Sequence, residues 1–553
     1  MKFDDILEHL GDFGPYQKRL YILVCLPAII VACQVLLPVF ILDIPAHRCA
    51  VPSLSNDTYA IQGTWHQDLI NQSIPSSKDG WSKCNVYSYN KDGNRTEVGC
   101  NKWVYDQSQY ESTFTTEVDM ICDRSFYRSL ANMILFAGNL VGTFGLGMVS
   151  DFIGRKKTLL LSIVLWSGTG IGTAFCTAFE SFSTLRFFSG ISMSGTFMTS
   201  FVIGFELVGP TKRTIAGIGI MLFWAIGLFS LAILAYLIRN WRTLTLITTV
   251  PSVVFLSYWW LLPESARWLL SKGRGGEAEE IIRNAAKVNK VELPTELFDE
   301  STTHKKEEPT AKIWQLFTTP SLLFRTLIVF FNWFVVSTIY YGLGLNVSNL
   351  SGDSYLNFTI ANIAETVSYA LCILLLDRLG RKVLHSSAML LGGIACLATM
   401  FPVIYGDKSH VWITITLSMI GKLGASGAFA IIYIFSGELF PTVLRHSALG
   451  VSATFSRLGG MVSPYIADLG LLVGGDLKTA LPLIVFGSTT IAAGILSLFL
   501  PETLNRKLPE TIEDVKLFSR EKKSERDYEL NDVYDDDEAS WKYIPAIISD
   551  GKL

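Results

Sequence analysis

The chain has 553 residues, of which 50% are hydrophobic and 17% charged, and its mean hydropathy is +0.36. That is too apolar and too weakly charged for a soluble protein of several domains, and it fits a polytopic membrane protein. A formal net charge of −3, with no basic stripe interleaved with aromatics, argues against a nucleic-acid partner.

The opening segment MKFDDILEHLGDFGPYQKRL is polar and carries acids, so the first apolar run, 21–42, reads as a retained signal-anchor and not as a cleavable leader. Eleven more runs follow, near 129–150, 158–177, 184–205, 214–237, 243–262, 323–345, 355–376, 383–405, 411–436, 446–467 and 478–500. Each is about the 20 residues that cross a ~30 Å hydrocarbon core. With the N-terminus cytoplasmic, Lys18, Arg19, Arg155, Lys156, Lys157, Lys212, Arg213, the stretch from Arg267 to Lys290, Arg381, Lys382 and Arg445 share one side. The bias of basic residues toward cytoplasmic loops sets that orientation, with Arg239 and Arg242 as exceptions.

Three junctions recur in the same order. GMVSDFIGRKK around Asp151 returns as LLLDRLGRK around Asp377, FELVGPTKR around Glu206 as GELFPTVLR around Glu438, and LPESARWLL around Glu264 as LPETLNRKL around Glu502. Their offsets are 226, 232 and 238 residues. A steady offset across three different motifs means duplication, and parallel halves of a membrane bundle read this way. The expected domains are therefore 1–262, a six-helix bundle that includes a loop at 43–127; 263–322, a cytoplasmic linker; 323–502, a second six-helix bundle; and 503–553, a largely disordered cytoplasmic tail. Within the linker, GRGGEAEEIIRNAAKVNK predicts a helix along the cytoplasmic face.

The loop at 43–127 is extracellular by this orientation. It holds Cys49, Cys84, Cys100 and Cys122, an even number that fits two disulfides with three connectivities open. It also holds glycosylation sequons at Asn56, Asn71 and Asn94. Sequons at Asn346, Asn349 and Asn357 sit at or near helix ends and are expected to stay unmodified. The other cysteines, Cys25, Cys33, Cys176, Cys372 and Cys396, lie in apolar runs and read as small buried hydrophobes.

A charge at the centre of a membrane helix costs about 2.5–3.5 kcal/mol even on the lenient insertion scale, so each one asks for a reason. Glu365, Lys422 and Arg457 interrupt apolar runs of the second half and read as ligand-facing charges in a water-filled cavity. Trp333, Tyr340 and Tyr341 on one helix, and Phe223 and Trp224 on another, supply faces that attract organic cations. Asp151, Arg155 and Glu206, with Asp377, Arg381 and Glu438, are a different set. Paired acid and base at helix ends form bridges that hold one conformation and break in another, so these read as gate residues. The seven histidines are scattered and form no metal or nucleophile constellation, so no enzyme, metal or cofactor is expected.

At DDILEHLGDFGPYQKR, the cysteine-bearing loop, SDFIGRKK, PESARWLLSKGR and GELFPTVLR with SRLGGMVSPY, the chain resembles the major facilitator superfamily, and within it the organic cation, organic anion and carnitine transporters. The resemblance implies an all-α membrane protein of twelve helices in two pseudo-symmetric bundles, alternating access and a central cavity. Glu365 resembles the acidic position of the cation and carnitine branches, and Trp333 and Tyr340 resemble aromatics of a cation-binding cavity. Arg457 stands where cation-specialised members have an aspartate and carnitine and anion branches an arginine, and Val336 stands where those cation members carry an acid. The expectation is a plasma-membrane transporter of small organic cations or carnitine-like zwitterions, surrounded by the lipid bilayer. The alternatives are an organic anion exchanger and, more weakly, a sugar transporter or a receptor without flux. Substrate identity, a coupling ion and the oligomeric state are left open.

Overall fold

A computed structural model describes residues 3–506 and 509, apart from 53, 78–79, 90–93, 210–211, 295–296, 299–312, 318, 351, 407 and 471–479. The expected disordered tail lies almost wholly outside the described residues.

Twelve long helical segments appear among the described residues, one for each apolar run. In the first half they are α1 (Pro15–Leu36, continued by Pro38–Ile41), α2 (Phe126–Ile153), α3 (Arg155–Thr173), α4 (Phe179–Leu207), α5 (Arg213–Leu237) and α6 (Trp241–Thr249, running through a 3-10 stretch Val250–Ser257 into Tyr258–Leu261). In the second they are α7 (Pro320–Asn346), α8 (Ser354–Leu379), α9 (Arg381–Ala398, continued by Met400–Tyr405), α10 (Val411–Leu439), α11 (Thr442–Ala467) and α12 (Ala480–Ser497). Ten segments are long and apolar enough to cross a membrane by length and composition alone. The other two, α3 and α11, carry basic, serine, threonine and glycine residues that lower their hydropathy.

Helices pack α2 on α4, α3 on α4 and α1 on α5 in the first half, and α7 on α11, α9 on α10 and α9 on α12 in the second. The halves meet where α2 lies against α11 and α5 against α8. Small residues allow the close approaches that drive helix association in lipid. A Cβ at Gly138 or Gly142 of α2 would strike the Phe187 or Ile191 carbonyl of α4, and one at Gly459 of α11 the Phe334 carbonyl of α7.

The linker helix forms over Gly275–Asn289. Its apolar face, Ala278, Ile282, Ala285 and Ala286, returns every three to four residues, and Ile282, Ala285 and Ala286 pack on Ile6 and Leu7 of a short N-terminal helix, Phe3–His9, and on Leu10 just after it.

The 43–127 loop folds as a small unit around Cys49, Val51, Ile70, Ile74 and Val86. His47–Cys49 pairs antiparallel with Trp103–Tyr105, and Asn85–Tyr89 with Arg95–Gly99. Of the three connectivities, the structure has Cys49–Cys100 and Cys84–Cys122. Asn56, Asn71 and Asn94 are exposed, whereas Asn346 and Asn357 are buried and Asn349 is half-buried, its amide donating to the Ala467 carbonyl. The two exceptions to the charge rule belong to this face: Arg239 donates to the Ser108 carbonyl and Arg242 pairs with Glu117 at 2.6 Å.

Candidate functional site: a central cavity and two terminal clamps

A cavity opens between the halves at mid-height. The first half contributes Val31, Val35, Asn139, Met193, Ser194, Phe197, Met221 and Trp224, and the second Tyr340, Tyr341, Tyr369, Phe429, Tyr433 and Arg457. The walls are mostly aromatic and aliphatic, with a few polar atoms, the composition of a small-molecule site. Tyr340 stacks on Phe429 with ring centroids 4.7 Å apart, and Tyr341 stands edge-on to Tyr340 at 5.1 Å.

Of the three predicted buried charges, Arg457 lines this cavity. Glu365 and Lys422 do not appear in its wall; they form an ion pair of 2.9 Å behind it, with side-chain exposures of 0% and 3%. Removing ions from water costs several kcal/mol each unless geometry and further hydrogen bonds offset it. Here they do. Tyr340 and Tyr369 donate to the same Glu365 oxygen at 2.7 and 2.9 Å, and Lys422 Nζ donates to the Tyr340 carbonyl while sitting 3.8 Å from the Tyr340 ring centroid. Trp224 Nε1 completes the chain from the other half by donating to the Tyr340 hydroxyl at 3.0 Å.

Trp333 and Phe223 are also absent from the cavity wall. Trp333 packs edge-on against Tyr433, one layer back, and Phe223 packs against the core. Trp333 and Tyr340 stand seven residues apart on α7, about two helical turns, yet Tyr340 lines the cavity and Trp333 lies a layer behind it. Several lining residues carry no strong sequence signal: Asn139, Ser194, Phe197, Phe429 and Tyr433 are ordinary members of membrane helices. Tyr369 was also missed, although its place one turn after Glu365 on α8 is a signal that could have found it.

The repeated junctions form two clamps at the end opposite the 43–127 loop. In the first half Arg155 pairs with Asp151 at 2.8 Å and with Glu206 of α4 at 3.5 Å, and in the second Arg381 pairs with Asp377 at 3.2 Å and with Glu438 of α10 at 3.1 Å. Each clamp joins helices of one half. Glu264 accepts the backbone N–H groups of Arg155 and Lys156 at 2.8 and 3.0 Å, and Glu502 those of Arg381 and Lys382 at 2.8 and 3.1 Å. These carboxylates cap the unsatisfied N-termini of α3 and α9, where the helix dipole favours negative charge. The glycine in DxxGRK follows from this: Gly154 and Gly380 have φ of 108° and 89°, and a Cβ on either would collide with the capping carboxylate. Ser265 and Thr503 then donate to Glu206 and Glu438, both at 2.5 Å. Glu264 and Glu502 are clamp residues that the reading of gate residues left out, although the repeated LPES and LPET motifs carry them.

At the loop end, Arg128 of α2 reaches across to Ser348 at 2.8 Å and lies 3.8 Å from Asp468, which caps the end of α11, while Ser129 donates to Asp468 at 2.6 Å.

Comparison with known proteins places this geometry. The family model described as "Sugar (and other) transporter" matches residues 67–514. An "Organic cation transporter protein" of Drosophila melanogaster is 39% identical over 541 residues, covering 94% of this chain and 95% of the relative. The chain belongs to the organic cation and carnitine transporters of the major facilitator superfamily. Human "Organic cation/carnitine transporter 2" is 32% identical over 536 residues, with 93% and 94% of the two chains covered, and human "Solute carrier family 22 member 13" is 35% identical over 529, with 93% of each. In fold, this member of the family matches a partially occluded inward open conformation of the xylose transporter XylE from E. coli, with a TM-score of 0.58 at 15% identity, covering 89% of this chain and all of the other. As a family member it is a multi-pass membrane transporter whose partners are small organic solutes and membrane lipid.

Proposed function

We propose that this transporter carries small quaternary-ammonium zwitterions of the betaine or carnitine type across the plasma membrane by rocking of its two halves, with both termini cytoplasmic and the loop outside. The observation that carries the reading is the charge left in the cavity. Glu365 and Lys422 neutralise each other, so Arg457 is the charged side chain in the wall. A guanidinium binds a carboxylate through paired, charge-assisted hydrogen bonds. The faces of Trp224, Tyr340, Tyr341, Phe429 and Tyr433 suit an ammonium group, at about 0.5–2 kcal/mol per contact. Glu365 then acts on the ammonium end indirectly, by orienting the Tyr340 hydroxyl. The relatives' printed substrates, organic cations and carnitine, agree with this class.

In this reading the clamps of Asp151, Arg155 and Glu206 and of Asp377, Arg381 and Glu438 keep each half rigid as the gate opens and closes, Asn56, Asn71 and Asn94 carry glycans, and no covalent chemistry or cofactor is involved. A second reading, an organic anion exchanger, is favoured by the same positive cavity.

The test is uptake of labelled carnitine, tetraethylammonium and para-aminohippurate by the wild type and Arg457→Asp, normalised to protein at the cell surface. Carnitine uptake that is lost in the variant while tetraethylammonium uptake is kept or gained is the expected result. Wild-type preference for tetraethylammonium sinks the zwitterion reading, and a dominant para-aminohippurate signal moves the protein to the anion branch.

A further inference from the structure

Arg457 is held in place from the opposite half. Its Nε donates to the hydroxyl of Thr143 on α2 at 3.3 Å. Thr143 in turn donates to the Asn139 carbonyl one turn back at 2.8 Å, and its oxygen lies 2.7 Å from the Ser194 hydroxyl of α4. A threonine hydroxyl has one proton and two lone pairs. With the proton given to Asn139, both lone pairs accept, one from Arg457 Nε–H and the other from Ser194 Oγ–H. The hydroxyl is saturated and its rotation is fixed. Arg457 has its Nε engaged by this contact and its guanidinium also interacts with the Tyr341 hydroxyl of its own half, and the remaining terminal N–H groups are left for a planar carboxylate.

Thr143 and Ser194 belong to the first half and Arg457 to the second. We propose that Thr143, braced by Ser194, is a positioning residue for Arg457: it orients the guanidinium fork toward the substrate carboxylate, and it does so only while α2 and α11 are apposed. A rocking motion that parts those helices removes the Nε partner, leaves the guanidinium with Tyr341 of its own half, and weakens the hold on the carboxylate as the cavity opens. Carboxylate affinity is thereby tied to the position of the halves. The contact between Trp224 and Tyr340 also crosses the halves, but through the aromatic wall and not through Arg457. The proposal rests on the reading of Arg457 as the carboxylate ligand, and the experiment separates the two.

KM for carnitine and for tetraethylammonium, which has no carboxylate, is measured in cells expressing wild type, Thr143→Val, Thr143→Ser, Ser194→Ala and Arg457→Asp, with surface protein quantified. Loss of one hydrogen bond to a charged group predicts a rise of about tenfold in the carnitine KM of Thr143→Val. Its tetraethylammonium KM should stay near wild type, Thr143→Ser should restore the ratio of the two, and Ser194→Ala should shift it in the same direction by less. An unchanged ratio in Thr143→Val, or equal loss for both substrates, overturns the positioning role. Should Thr143→Val fail to reach the surface, Ser194→Ala and Thr143→Cys read the same ratio, and no shift in either overturns it. If Arg457→Asp itself leaves the ratio unchanged, the carboxylate reading fails first. If Arg457→Asp abolishes carnitine selectivity while the hydroxyl variants keep it, the carboxylate reading survives and the positioning role alone falls.

Discussion

At the clamp end the two halves are near copies, and at the cavity they are not. Arg155 and Arg381 each hold one acid four residues back and one acid on a neighbouring helix, and Glu264 and Glu502 cap the same helix start in each half. At the cavity, by contrast, the charged residues in and behind the wall, Arg457 and the Glu365–Lys422 pair, all come from the second half, and the first half answers in and behind the wall with Asn139, Ser194, Trp224 and Thr143, which are polar but uncharged. In the proposed rocking motion each half has to be braced in the same way, and the repeated clamps supply that bracing. The proposed zwitterion is asymmetric and calls for an asymmetric wall, which the interior supplies.

Breaking the asymmetric region should cost most. Glu365→Gln or Lys422→Met alone leaves a buried charge without its partner, which costs about 3–5 kcal/mol. Each single variant should therefore melt well below the wild type in detergent and reach the surface poorly, and the double variant should recover most of that loss. Single variants as stable as wild type would mean that water or solute reaches Glu365 and that the pair does not seal the back of the cavity. The double variant also isolates the carboxylate end, because Arg457 is untouched: the preference for carnitine over tetraethylammonium should survive in it, while affinity for both falls with the loss of the Glu365 contact to Tyr340.

The symmetric region makes a different demand, equality. Glu264→Ala and Glu502→Ala each remove a side chain that caps two backbone N–H groups at a helix start, a loss of about 0.5–2 kcal/mol. The two variants should be destabilised to the same degree and should slow transport alike. Asp151→Asn and Asp377→Asn should do little, because those aspartates are 76% and 69% exposed and exposed ion pairs contribute about 0–1 kcal/mol. A large effect in one half with none in the other would break the comparison.

The same contrast explains what the sequence made legible. Twelve apolar runs and three repeated junctions are properties of long stretches, and helices of ordinary geometry realise them directly. The clamps were readable because acid, glycine and base stand within a few residues of each other; Glu264 and Glu502 act on backbone amides more than 100 residues away, yet their repeated motif marked them. The cavity was less legible. Sequence shows that Glu365, Lys422 and Arg457 are buried, but whether two of them face each other or a solute depends on the rotation of α8 against α10, which no local pattern encodes. Thr143 looks like the many hydroxyl residues that bond to their own helix, and it is Ser194 of α4 and Arg457 of α11 that give it further partners.

The smallest expected effect lies at the loop end, where the halves meet through an unsymmetrical cluster. Asp43 is buried there, 6% exposed, just beyond α1. Burial raises its carboxyl above the usual aspartate range; Arg128, the Tyr110 hydroxyl and the Ile44 N–H pull it down, and Asp468 adds a repulsion that raises it again, leaving it raised. Tyr355 of α8 is also close enough to interact with it. A carboxyl that holds its proton more tightly in the folded state than in the unfolded one stabilises the fold fully below the unfolded pKa and loses that contribution as pH rises through the folded one. Asp43→Asn imitates the protonated form without titrating. Melting temperatures of the two proteins between about pH 4 and pH 8 should therefore converge at the acidic end and separate as pH rises, with the variant the more stable, over a range that begins near the unfolded aspartate pKa of about 3.9. A variant less stable than wild type at neutral pH would show that the attraction of Arg128 outweighs burial, and the cluster would then be a charged lock across the halves in place of a neutral one.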